Sequence, residues 1–268
     1  MIIATHGIIA SQLAGFDADA QAFFDRVTTA GGSLSATEKT AVNQLVLDMK
    51  SYSIWSKMKA IYPMVGASSA ACAQNLKSSS FTGSFSGGWS FASTGATPNG
   101  STGYMDTGLN ASTQLTASSN NITIYSRTNN SLASYEYSAY ASGTSSVYIN
   151  TRWTDGKLYA VSGQESSGRD INITNSDSTG FYQVNRQSNT SFKVFRNSST
   201  LATNTSSNTG TMPNLNIYLA TLNLNGVLSA YSNREFSFSS IGDGLTDTEA
   251  GNFYTAVQTF NQTLSRQV

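Results

Sequence analysis

The apolar positions of this chain fall into two kinds of rhythm. Near the start, Ala20, Phe23, Phe24 and Val27 share one helical face, with Asp17 or Asp19 placed to cap it and Gly31-Gly32 to stop it. A second helical stripe follows at Val42, Leu45, Val46 and Met49, and a third near the end at Phe253, Val257, Phe260 and Leu264. The second and third open alike, "LSATEKTAVNQLV" and "LTDTEAGNFYTAV". In each a hydroxyl (Ser35, Thr246) precedes a glutamate (Glu38, Glu249) by three residues, the spacing of a capping box. The pattern predicts a helical hairpin and a C-terminal helix ending near Arg266.

Between them the period changes to two. "NITIYSR" alternates Ile122 and Ile124 with Thr123, Tyr125 and Arg127. "VYINTRWTDGKLYAV" predicts a hairpin through Asp155-Gly156, a dipeptide suited to a tight primed turn. "FYQVNRQSNTSFKVFRNSST" predicts two strands and a turn at Asn197, and "LNIYLATLNLNG" closes the series. "SSSFTGSFSGG" and "ATNTSSNTGTMP" read as surface loops. Many short strands with few helices between them predict a mainly β antiparallel sandwich rather than a βαβ fold. The division expected is an arm and helical hairpin over 1–57, a sandwich over 58–243 and a C-terminal helix over 244–268.

Composition narrows the function. In 268 residues only 11% are charged and the formal net charge is zero, against about 25% charged in ordinary domains. No basic run exists, which argues against nucleic acid as a partner. A lone cysteine, Cys72, excludes an intrachain disulfide and a thiolate zinc site, and is expected as a buried small residue. The start, "MIIATHGIIAS", lacks a cationic region and breaks its apolar run at Thr5, His6 and Gly7, so it reads as a strand or arm, not a signal peptide or membrane span. The sequons at Asn110, Asn121, Asn172, Asn197 and Asn204 are expected to stay unglycosylated.

Several segments carry a resemblance. "TPNGSTGYMDTGLN", "NNITIYSR", "FKVFRNSSTLATNT" and "NIYLATLNLNG" resemble pieces of a concanavalin A-like, or laminin-G-like, jelly roll. The hairpin, "AIYPMVGASSAACAQNLKS", the jelly roll and "FSSIGDGLTDTEAGNFYTAVQTFNQTLSRQV" together resemble a family of tailed-bacteriophage and prophage virion proteins. The resemblance spans about Phe16 to Val268. It implies a lectin-like sandwich carried on a virion, as part of a tail fibre or receptor-binding device or as a capsid decoration. Implied partners are other virion proteins, copies of the chain in a homo-oligomer, and host-surface glycans. A purely structural capsid or tail component, or a glycan-cleaving enzyme of the same fold, are the alternatives. Residues 1–16 are expected to attach the module to the particle.

The chemistry was weighed residue by residue. A retaining glycosidase needs two carboxylates about 5–5.5 Å apart, hence acids at i and i+2 or i+4 of one strand. Asp106, Glu136, Asp155, Glu165, Asp170, Asp177 and Glu235 show no such pair; Glu165 and Asp170 would point to opposite faces of a regular strand. His6 has no nucleophile elbow to serve. Asp106 is one possible calcium ligand without a supporting acidic cluster. Neither a catalytic residue nor a cofactor is assigned. The alternation instead places Tyr125, Arg127, Tyr148, Asn150, Arg152 and Tyr159 on one polar, aromatic face opposite Ile122, Ile124, Val147, Ile149 and Leu158. Such a face suits sugars, a neighbouring subunit, or water alone.

Overall fold

The computed structural model describes residues 15–165 and 168–268. His6 and nearly all of the expected arm lie outside the described residues. The two capping boxes form as the spacing requires. Glu38 Oε2 accepts from Ser35 N at 2.8 Å ahead of α2 (Ala36–Ser51), and Glu249 Oε2 accepts from Thr246 N at 2.7 Å ahead of the last helix, Asp247–Thr263. Asp17 caps α1 (Ala18–Thr29) by accepting from Asp19 N at 3.0 Å. Two single turns, α3 (Ser69–Cys72) and α4 (Ala111–Gln114), make the last helix α5. No helix among the described residues is long and apolar enough to cross a membrane.

Two sheets face each other as a jelly-roll sandwich. One runs β13 (Ser199–Asn204), β12 (Ser191–Arg196), β11 (Gly180–Ser188), β6 (Asn120–Ser126), β17 (Phe236–Gly242), β4 (Gly95–Pro98), β3 (Trp89–Ala92), with β1 (Met58–Tyr62) also on β17. The other runs β10 (Ile171–Thr174), β9 (Lys157–Gly163), β8 (Ser145–Asn150), β7 (Tyr137–Ser142), β14 (Asn216–Leu219), β5 (Tyr104–Asn110), β2 (Ser84–Ser86). A small hairpin, β15 (Leu222–Leu224) and β16 (Val227–Ser229), joins β7 through one parallel contact. Alternation fills the space between the sheets. Ile122, Ile124, Val184 and Ile241 of the first meet Ala139, Val147, Ile149 and Leu219 of the second in one buried cluster.

The first sheet is apolar on its other side too. Cross-strand register sets Phe181, Tyr125 and Phe238 in a row over β11, β6 and β17. All three are buried with Phe253, Val257 and Phe260 of α5 and the apolar stripes of α1 and α2 in a second core. The helices therefore roof this covered sheet, and α2 packs against α5 with the start of α2 beside the end of α5. Polar members of the same face are buried as well, through specific partners. Asn185 Oδ1 accepts from Leu245 N and its amide donates to Leu245 O, both at 2.8 Å, while Gln183 donates to Ala250 O at 2.8 Å. The second, open sheet has no such roof among the described residues.

The structure corrects two details. The hairpin of β8 and β9 is joined by a six-residue connection, 151–156, not by a two-residue primed turn. Gly156 still supplies left-handed backbone there, with φ +78° and its N–H donating to Trp153 O at 2.9 Å. Glu165 and Asp170 lie in the connection between β9 and β10, so strand alternation does not apply to them.

Truncating Phe238→Ala removes the ring shared by Phe181, Phe253 and Phe260 and should destabilise the fold by ~3–5 kcal/mol. Thr246→Ala removes only a cap and should cost ~1 kcal/mol. Urea unfolding of both variants beside the wild type checks the ranking; a Phe238 variant as stable as the Thr246 variant would refute the roofed-sheet account.

Candidate functional site: an aromatic cleft on the open sheet

The expected single binding face is divided between two sheets. Tyr125 and Arg127 stand on the outer side of the covered sheet, under α5. Tyr125 donates to Gln258 Oε1 at 3.0 Å and accepts from Val268 N at 2.9 Å. Arg127 pairs with Glu235 at 2.5 Å and donates to Arg266 O at 2.7 Å. Both are structural. Tyr148, Asn150 and Tyr159 stand on the outer side of the open sheet. Alternation is the same in both places; it states which side of its own strand a residue takes, not which sheet the strand joins.

On the open sheet these three meet Tyr135, Trp153 and Glu165 around a cleft of about 210 Å³. Strands supply the floor and loops supply the walls. Tyr148 from β8 lies under Tyr135, ring centroids 5.1 Å apart at 84°. Tyr135 meets Trp153 at 5.8 Å and 70°, and Trp153 meets Tyr159 at 6.4 Å and 79°. Neighbouring Tyr140 leans on Tyr148 at 6.2 Å. The edges are polar. Tyr148 donates to Glu165 Oε1 at 2.9 Å and Tyr159 donates to Asp155 Oδ2 at 2.6 Å. Burial and then the Glu165 carboxylate push the Tyr148 phenol far up and Tyr140 to about 12. Both phenols therefore stay neutral donors at physiological pH. Arg152 does not line the cleft; its guanidinium donates to Asn129 Oδ1 at 3.1 Å.

Tyr135, Trp153 and Glu165 were missed because they sit in connections, where no period marks them. A buried ion pair holds the ends of two of those connections. Glu136 and Arg234 are both fully buried and hydrogen-bonded to each other. Arg234 also donates to Ser134 Oγ at 2.8 Å, Asn130 O at 3.0 Å and Arg152 O at 2.7 Å, while Glu136 Oε2 accepts from Thr151 N at 2.6 Å. The residues before Tyr135 and before Trp153 are thus tied to one buried centre. Asn150 adds to it by donating to Ser134 O and, at 3.4 Å, to Leu132 O.

Other chemistry-bearing groups are engaged elsewhere. Asp106 accepts from Gly108 N at 2.8 Å and Asn216 at 3.1 Å, and Asp177 pairs with Arg196. No three His, Cys, Asp or Glu side chains among the described residues converge as a metal site. Cys72 is buried, which raises its thiol to about 12. A wider hollow of about 670 Å³ between the start of α2 and the end of α5 has no aromatic lining. Its one carboxylate, Glu38, is spent on its cap and on Gly66 N at 2.7 Å.

No protein-family model and no curated protein matches the chain. Similar solved structures exist. Domain 4 of an extracellular GH43 arabinanase from Geobacillus stearothermophilus, solved with arabinotriose, is 14% identical over 74% of this chain and 98% of that one, with a TM-score of 0.49. A structure of botulinum neurotoxin type C, whose cell entry depends on interaction with two ganglioside molecules, is 11% identical over 78% of this chain and 53% of that one, TM-score 0.49. The NanB sialidase of Streptococcus pneumoniae is 11% identical, covering 51% of this chain and 24% of that one, TM-score 0.37. This chain thus spans nearly all of the arabinanase domain, about half of the toxin chain and about a quarter of the sialidase chain. At this level of likeness the site must be read from its own residues.

Proposed function

We propose that this protein is a lectin-like carbohydrate-binding module, and that the cleft at Tyr135, Tyr148, Trp153 and Tyr159 takes a sugar. One observation carries the reading: the cleft joins aromatic walls to hydrogen-bonding groups on the sheet left unroofed. Sugar rings present apolar C–H faces and hydroxyl edges, and a site of this make-up matches both. The setting proposed is a bacteriophage virion, with host-surface glycans as ligands; the sequence resemblance supports that part. A single acid, Glu165, lines the cleft, which favours binding over a two-carboxylate hydrolysis.

Binding to a glycan array and to host cell surfaces tests the proposal. Trp153→Ala should weaken a saturable interaction about thirtyfold, the ~2 kcal/mol of a buried aromatic anchor. Absence of any glycan or cell binding by the folded wild type would move the assignment to a structural component whose open face meets a subunit. Release of reducing ends would move it to an enzyme.

The ion pair beneath the walls adds a second expectation. Glu136→Gln leaves Arg234 buried without its counter-charge and should lower stability by ~3–5 kcal/mol. Sugar affinity should fall with it, as the supports of Tyr135 and Trp153 loosen. Denaturant titration and calorimetry on one sample check both; unchanged affinity would show that the pair does not position the walls.

A further inference from the structure

Three properties of the cleft go beyond a generic sugar site. Among the described residues Glu165 is the only charged side chain that lines it, and no Lys or Arg does. Two further carboxylates lie close: Asp155 accepts from Tyr159, and Asp170 acts on the Tyr148 and Tyr159 phenols, which the negative surroundings help to raise. Lys157 acts on Asp155 in turn, so the field at the cleft rests on Glu165 and Asp170, and it favours a positive ligand over an anionic one. The rings, moreover, meet nearly at right angles, at 84°, 70° and 79°. They pack edge to face, so the cleft offers ring faces turned in several directions rather than a flat platform, and a ring face attracts a cation.

The third property is an unfilled acceptor. Asn150 is fully buried and lines the cleft, and both of its amide donations go to the carbonyls of Ser134 and Leu132. Those contacts orient the amide, and its Oδ1 is left buried with no partner among the described residues. A buried acceptor without a donor is unfavourable unless something supplies one. Asn150 Oδ1 and the Glu165 carboxylate both ask for N–H or O–H donors.

We propose that the cleft selects a sugar bearing a free, protonated amine, the ammonium lying among Tyr135, Tyr148 and Trp153 and donating to Glu165 and Asn150. A quaternary ammonium would satisfy the rings but offers no donor. An N-acetylated sugar would offer an N–H but neither the charge nor the compact shape. The inference rests on the carbohydrate reading of the same cleft and specifies its ligand.

Isothermal calorimetry on the full chain separates the two. The probes are a fully deacetylated glucosamine trisaccharide, its N-acetylated counterpart, and tetramethylammonium chloride. The deacetylated sugar should bind at least about tenfold more tightly than the N-acetylated one, as expected for a charge-assisted contact. Glu165→Gln, which keeps an oxygen for Tyr148, should abolish that preference while the thermal midpoint stays unchanged. Equal or tighter binding of the N-acetylated sugar overturns the inference, as does tetramethylammonium binding as tightly as the amine sugar. If neutral glycans bind at Trp153 and the amine sugar does not, the inference fails and the carbohydrate reading stands. If no sugar binds at all, both fail.

Discussion

At its centre, over β11, β6 and β17, the covered sheet has no side that can face water. Ile122, Ile124 and Val184 point into the sandwich, and Tyr125, Phe181 and Phe238 point away from it. A sheet apolar on both faces must be buried on both. The helical hairpin and α5 meet that demand from one side and the open sheet meets it from the other. This accounts for the paired capping boxes at distant points of the chain. They start two helices that pack against each other over a common floor. It also bears on where function can lie, since no helix among the described residues roofs the open sheet.

Burying polar groups in that arrangement takes specific partners. Arg266 shows how far it goes. Its guanidinium is fully buried and donates to Pro63 O at 2.6 Å, Met64 O and Ser237 O at 2.7 Å, and Asn261 Oδ1 at 2.9 Å. Burial lowers its pKa to about 9, and the surrounding oxygens offset the loss of water. The clamp ties the end of α5 to β17 and to the segment after β1. Low overall charge is thus compatible with charges used sparingly, deep inside, as fasteners.

The parts of this architecture that were legible in the sequence are those with a period or a local rule. Ser35 with Glu38 and Thr246 with Glu249 named their helix starts, and Ile122, Ile124, Val147, Ile149 and Leu158 were placed in the core by alternation alone. Asn121, Thr123, Gln183 and Asn185 look like a solvent-facing row by the same rule, yet α5 covers them, because a long-range roof leaves no mark on a strand's own pattern. The error over Tyr125 and Arg127 has that origin. The residues Tyr135, Trp153 and Glu165 escaped for a different reason: loop side chains converge through the fold, not through spacing. Glu136, flanked by two tyrosines, gave no hint of the distant Arg234 that neutralises it.

That buried pair separates two jobs that many binding surfaces combine. The backbone ends of the walls are fastened from below, at Ser134, Thr151 and Arg152, while the rings themselves look outward. Exchanging Tyr135 or Trp153 for another side chain would leave the fastening atoms, which belong to other residues, in place. The cleft is therefore a set of rings on a fixed mount, whose side chains can diverge while the scaffold keeps its sequence constraints. Variation at those rings would come at little expense to folding.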